Sequence, residues 1–139
     1  IADILSAPLM LALALGRIAN FINGELWGTV TSVRWCVIFP QADSECRHPY
    51  QIYEAIKRFM IFFWLLAQNK KQFKTGFIFW NFVLLEGLSR FFLDFTKVDT
   101  LILGLGTGQW LSILMVGVAA GAMIKNHRED LIKIWASKD

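Results

Sequence analysis

Four apolar stretches, each close to the roughly 20 helical residues that cross a hydrocarbon core, divide this sequence. They occupy about residues 4–22, 50–67, 76–95 and 108–124, and only the latter half of the second, FMIFFWLLA, is strongly apolar. The fourth, GQWLSILMVGVAAGAMI, is rich in small residues that suit close helix packing in membranes. Twelve Phe, six Trp and a hydrophobic fraction of 55% in 139 residues exceed what a soluble core of this size can hide. The expected fold is therefore all-α integral membrane, with about four transmembrane helices and a small extracytoplasmic loop or hairpin. Residues 1–139 form one membrane domain, a fragment of a larger polytopic fold. The chain enters an apolar helix directly at Ile1 without a signal-peptide pattern, so further helices are expected before it.

The basic residues mark sides of a bilayer rather than a nucleic-acid partner. A formal charge of +3 is spread between the apolar runs. Lys70, Lys71 and Lys74 lie in the second connector, and Lys125, Arg128 and Lys133 follow the fourth span. Alternating spans bring both groups to one side, which the positive-inside rule makes cytoplasmic. Lys57 and Arg58, inside the second span, cut across this count. The long loop 27–48 and the segment VDTLILGLGT then face outward. Alternation over residues 33–39, ended by Pro40, reads as a strand or hairpin at the membrane surface. Cys36 and Cys46 share that outer side, either as a disulfide or as two free small hydrophobes. Two cysteines are too few for a disulfide-built scaffold.

Ionisable residues inside a span are expensive, and here they gather near its outer end. The run GRIANFINGELWG carries Arg17, Asn20, Asn23 and Glu25, with the first three spaced three apart along one helix surface. Gly24 and Gly28 follow, where backbone can approach a ligand closely. An arginine beside amides and open backbone N–H groups suits an anion. In the third span Glu86, Arg90 and Asp94 are four apart on one face, with Lys97 seven beyond Arg90. Arg90 between two carboxylates fits a self-neutralising structural pair. A second arginine at comparable depth on another helix favours a phosphate site. The second span opens on RHPYQIYEA, with Pro49 suited to a first helical turn, Gln51 and Glu54 three apart, and His48 at the membrane boundary. His48 suits either a structural cap or a titrating group. His127, in the charged tail, is expected to be inert. No G-x-S-x-G, P-loop or CxxC occurs, and neither His has a metal-ligand spacing to another His or Cys. Spacing alone gives an outward-facing anion site and no reaction.

Five ordered segments add a resemblance. GRIANFINGELWG (16–28), WCVIFP (35–40), RHPYQIYEA (47–55), GLSRFFLDF (87–95) and GTGQWLSILM (106–115) together resemble the motifs of the prolipoprotein diacylglyceryl transferase family. The resemblance implies transfer of the diacylglyceryl group of phosphatidylglycerol to the lipobox cysteine thiol of a prolipoprotein. A thioether forms and glycerol 1-phosphate leaves. It implies no cofactor and no metal, and a multi-pass protein of the bacterial inner membrane whose site opens to the periplasmic side and to membrane lipid.

Carried over position by position, Arg17 and Arg90 match the family's two key arginines, the first binding the donor head group. Asn20 and Gly28 match further important positions. Glu25, His48 and Glu54 match motif positions of less defined role, and Asn23 and Asp94 complete the expected substrate-binding set. The catalytic set expected on this basis is Arg17, Arg90 and His48. Several positions depart from the pattern. Asp94 replaces a usual Glu, Ala19 a usual Gly and Thr29 a common Arg, and Lys57 and Arg58 are unexpected in the second span. The family's His-Gly-Gly segment belongs to earlier helices. The alternative is a non-catalytic membrane fragment or partner that keeps the head-group site; a small transporter lined by Glu86, Arg90 and Asp94 leaves the ordered motifs unexplained.

Overall fold

The computed structural model describes residues 1–136, most of them helical. In chain order they form α1 (Ala2–Asn23), β1 (Val37–Ile38), β2 (Cys46–Arg47), α2 (Tyr50–Asn69), α3 (Phe77–Leu93), a 3₁₀ turn (Asp94–Thr96), β3 (Leu101–Ile102), β4 (Leu105–Gly106), α4 (Thr107–Asn126) and α5 (Arg128–Ala136). α1 to α4 run alternately up and down, as contacts at their ends require. At one end, Asp3 of α1 accepts backbone N–H groups of Gly76 (2.6 Å) and Phe79 (2.8 Å), capping the start of α3 with a carboxylate that its own first turn lacks. Lys74 there reaches the Asn126 carbonyl at the end of α4. At the other end, the Tyr50 hydroxyl at the start of α2 meets Asp94 at the end of α3. The two basic segments of the sequence thus share one end, and the two hairpins share the other.

Packing is inverted relative to a soluble bundle. A small apolar core of Ala7, Met10, Ile61, Leu65 and Ile78 joins α1, α2 and α3. Large apolar side chains such as Met60, Phe63 and Leu114 point outward, while Gln51, Glu54, Lys57, Arg58, Glu86 and Asp94 are buried. Such an arrangement suits hydrocarbon outside and polar contacts within. α1 and α4 are long and apolar enough to cross a membrane. α2 carries Glu54, Lys57 and Arg58, and α3 has only 17 residues.

Several expectations change. α3 ends at Leu93, with Asp94 in the following 3₁₀ turn rather than in the helix. In α4, an added Cβ at Gly117 or Gly121 would meet nothing within 4 Å among the described residues, and the close α3–α4 contact is instead at Gly87, where an added Cβ would lie 3.1–3.3 Å from Val116, Met115 and Ser112. The strand expected around 33–39 shortens to β1, paired antiparallel with β2, and Cys36 and Cys46 are joined in a disulfide. A second hairpin, β3–β4, occupies the segment read as a plain loop. His127 of the charged tail is buried, its ring 3.2 Å from Asp130.

Candidate functional site

At the hairpin end, α1 stops where Gly24 takes a left-handed conformation (φ 69°) and its N–H caps the Asn20 and Phe21 carbonyls. The chain then crosses the bundle mouth as an extended segment. Gly28 donates to the His48 carbonyl (3.0 Å) and Thr29 to the Thr96 carbonyl (2.9 Å). A Cβ on Gly28 would come within 2.6 Å of the Thr96 carbonyl oxygen and 2.7 Å of the His48 Cβ, so only glycine fits between them. This crossing sets Trp27 and Leu26 over Arg17.

Arg17, Leu26, Trp27, Tyr50, Lys97 and Val98 line a cavity of about 350 Å³. Its floor carries Arg17, whose guanidinium carbon stands 6.0 Å from the Tyr50 ring centroid and whose Nε lies 3.7 Å from Glu54 Oε2. Lys97 faces the same space from beyond the 3₁₀ turn. It also borders a second cavity of about 320 Å³, together with Thr29, Asp94 and Gln109. Lys97 pairs with Asp99 at 3.7 Å. Partial burial raises the Asp99 carboxyl, but the Lys97 charge and the Thr107 hydroxyl outweigh it and hold the group below the usual carboxylate range.

Arg90 is held by the same polar chain. The Tyr50 hydroxyl donates to Asp94 Oδ1 at 2.6 Å, and Asp94 Oδ2 lies 3.5 Å from Arg90 Nε. Asp94 is 5% exposed; Tyr50 takes the place of water at Oδ1, while Oδ2 has no hydrogen bond among the described residues and is met by the charge of Arg90. Gly108 brings the first turn of α4 directly against Asp94 and Arg90. Gln109 fixes that turn: it accepts from the Gly106 N–H (2.8 Å) and donates to the Phe91 carbonyl (3.1 Å). Arg17 and Arg90 therefore connect through Tyr50 and Asp94, one residue from each of the two intervening elements.

Beneath Arg17 lies a buried ion cluster. Lys57 Nζ bridges Glu54 (2.8 Å) and Glu86 (3.1 Å), and Arg58 Nη2 bridges the same two carboxylates at 2.8 and 3.0 Å. With Arg17 the cluster contains three cations and two carboxylates. Glu86 thus pairs with α2 and not with Arg90, one turn along its own helix.

The remaining expected residues lie around the rim. Asn20 Nδ2 donates to Glu25 Oε2 (3.1 Å), and the Asn23 carbonyl accepts from Gln41 (3.4 Å); none of these three lines the Arg17 cavity. The His48 ring faces Tyr53 (Nδ1 to Oη, 3.0 Å), whose hydroxyl accepts from Trp35 Nε1, so His48 also stands outside that cavity. Tyr50 and Lys57 are the structural partners that spacing did not assign, while Arg58, four residues beyond Glu54, pairs with it. The i, i+3 and i, i+4 relation of Glu54, Lys57 and Arg58 was their signal in the sequence. Arg17 and Lys97 together put two cationic side chains on one cavity.

The family model described as prolipoprotein diacylglyceryl transferase matches residues 1–125. Proteins named phosphatidylglycerol–prolipoprotein diacylglyceryl transferase are similar at 36% identity in Geobacter sulfurreducens, 40% in Bordetella parapertussis and 35% in Nitrosomonas europaea. These matches cover 92%, 92% and 94% of this chain and 52%, 52% and 49% of the respective relatives, so the chain spans about half their length. The chain belongs to the prolipoprotein diacylglyceryl transferase family.

Proposed function

We propose that this chain supplies the donor-binding part of an enzyme that moves the diacylglyceryl group of phosphatidylglycerol onto the lipobox cysteine thiol of a prolipoprotein. The carrying observation is the pair of cations, Arg17 and Lys97, on one cavity, with Arg90 tied to it through Tyr50 and Asp94. A phosphodiester fits such a pair by charge. As the thiolate sulfur bonds to the glycerol carbon, that carbon's bond to the phosphate oxygen breaks. The electron pair leaves with glycerol 1-phosphate, and fixed cations stabilise the charge gathering on it. Asn20, Asn23, Glu25 and the His48 side chain shape the rim by which the thiol peptide approaches, while Gly28 and Glu54 hold the backbone and Arg17 in place.

The reading takes α1 to α4 as four membrane spans of a bacterial plasma membrane protein, with the hairpin end outward. The charges of α2 and α3 are paired within the bundle, which removes the main obstacle to their crossing. A disulfide between Cys36 and Cys46 supports an oxidising compartment on the hairpin side, and Lys70, Lys71 and Lys74 support a cytoplasmic opposite end.

The test is conversion of a lipobox peptide to its diacylglyceryl form by membranes that contain the full-length protein. Arg17→Ala and Arg90→Ala should each lower the rate by about 10²–10³-fold at unchanged protein level. Normal turnover in either variant refutes the assignment.

A further inference from the structure

We propose that the opposite, basic end carries a second anion site, which holds the phosphate of an anionic phospholipid in the leaflet away from the Arg17 cavity. This inference rests on the membrane reading above and is independent of the transfer chemistry. A cleft of about 630 Å³ opens between the α2–α3 connection, the end of α4 and α5. Lys74, Lys125, Arg128 and Lys133 line it, against the carboxylates of Glu129 and Asp130. Asp130 is already engaged: its oxygens accept from the Lys74 backbone N–H (3.3 Å), the His127 ring (3.2 Å) and Lys133 Nζ (3.2 Å). Those bonds tie the three walls together before any ligand arrives. Among the described residues, Lys125 and Arg128 have no ion-pair partner, and both are exposed. The cleft is thus prebuilt, with cations in excess.

The neighbouring surface says which phosphate it takes. Ile132 and Trp135 of α5 are 67% and 80% exposed, and their spacing from Arg128 puts all three on one helix face. An exposed Trp and Ile beside arginine and lysine make α5 an interfacial helix, its apolar edge in the acyl boundary and its cations at head-group depth. A free phosphate needs no such edge; a phosphate tethered to acyl chains does. Basic clefts at the cytoplasmic ends of spanning helices bind lipid head groups by this combination.

Native mass spectrometry of the chain in neutral detergent, titrated with dioleoyl phosphatidylglycerol or phosphatidylcholine, tests the proposal. The wild type should retain two phosphatidylglycerol molecules and discriminate against phosphatidylcholine. Lys125→Gln with Arg128→Gln should retain one, the lost site weakened about 30-fold at ~1 kcal/mol for each cation removed. Arg17→Ala with Arg90→Ala should lose the other molecule and keep this one. Unchanged binding by the Lys125→Gln/Arg128→Gln variant overturns the proposal. So does equal retention of phosphatidylcholine, or displacement of the lipid by excess inorganic phosphate. If Arg17→Ala/Arg90→Ala still binds two while the basic-end variant binds one, the donor-site reading fails and this one stands. Trp135→Ala leaves all four cations in place and should weaken lipid retention by itself; if it does not, the interfacial role of α5 is wrong.

Discussion

Replacing Glu86 by Gln tests how the buried charges of α2 and α3 are held. Lys57 and Arg58 contact Glu86 at 3.1 and 3.0 Å, within a cluster that is almost fully buried. At such distances a unit charge pair is worth about 5 kcal/mol even at an effective dielectric of 20. Removing one partner of a buried pair typically costs about 3–5 kcal/mol, because the other charge stays behind uncompensated. Glu86→Gln leaves Arg17, Lys57 and Arg58 around Glu54 alone, and it should cost about 4 kcal/mol. Arg58→Met leaves two cations for two carboxylates, with Lys57 still bridging both acids, and should cost less than half as much. The double variant restores the native surplus of one cation. It should therefore be more stable than Glu86→Gln alone, a positive coupling between contacting residues. Reversible unfolding in mixed micelles titrated with dodecyl sulfate, followed by tryptophan fluorescence, measures all three. A double variant less stable than Glu86→Gln would show that packing, and not charge balance, governs this layer.

Gly28→Ala should disrupt transfer by at least tenfold, since the added methyl pushes the crossing segment off Thr96 and displaces Lys97; overpacking of this kind costs about 1–3 kcal/mol. Gly16→Ala, next to Arg17, meets nothing within 4 Å and should leave transfer intact while stabilising α1 slightly. Cys36→Ser removes a link across a sequence separation of 10 and should cost about 2–3 kcal/mol of hairpin stability, visible as faster proteolysis between β1 and β2. Burial raises the Asp130 carboxyl, but hydrogen bonds from His127, Lys133 and the Lys74 backbone outweigh it and keep it below the ordinary carboxylate range. Its folded pKa is thus depressed, so its contribution is present above about pH 4 and lost as pH falls below that. The protection of α5 amides from hydrogen exchange, relative to their intrinsic rates, should fall below about pH 4, and Asp130→Asn should show the lower protection already at neutral pH.

The four long helices were legible because apolar runs and their punctuation are local properties. The second stretch, read as 50–67, becomes Tyr50–Asn69, and the third, read as 76–95, becomes Phe77–Leu93. The β3–β4 hairpin was not legible. Its turn places Leu103 (φ 52°) and Gly104 (φ 83°) in left-handed backbone, and leucine gives no signal for that geometry. Contacts from outside the turn hold it instead: Trp110 Nε1 donates to the Ile102 carbonyl, and Thr107 donates to Asp99. The arginines of the site were visible as charges in apolar sequence. Their partners were not, because helical spacing offers Arg90 both Glu86 and Asp94. Only the rotation of α3 against α2 sends Glu86 to Lys57 and Arg58 and leaves Asp94 to Arg90 and Tyr50. The burial of His127 was not legible for the same reason: it depends on the α2–α3 connection folding back over α5.

Under the proposed function, the surplus cation in the buried cluster favours binding of an anionic donor. A hydrophobic replacement of similar volume is often as stable as a buried ion pair, so stability alone does not account for three cations around two carboxylates. A phosphodiester carries one negative charge, and placed against Arg17 it brings the layer of Arg17, Glu54, Lys57, Arg58 and Glu86 to neutrality. Arg58 does not line the Arg17 cavity, so its effect on the donor passes through Glu54, which it draws partly away from Arg17 (2.8 Å against 3.7 Å). Arg58→Met frees Glu54 to neutralise Arg17 and should weaken phosphatidylglycerol binding about tenfold or more, although the variant itself is charge-balanced and folded. The stabilisation that saturating phosphatidylglycerol gives to the wild type should shrink correspondingly in Arg58→Met, by about 1.4 kcal/mol for a tenfold loss at fixed lipid concentration. Neutral phosphatidylcholine should give no such difference. Equal stabilisation of both proteins by phosphatidylglycerol would confine Arg58 to a packing role and leave Arg17 to act without help from the charges below it.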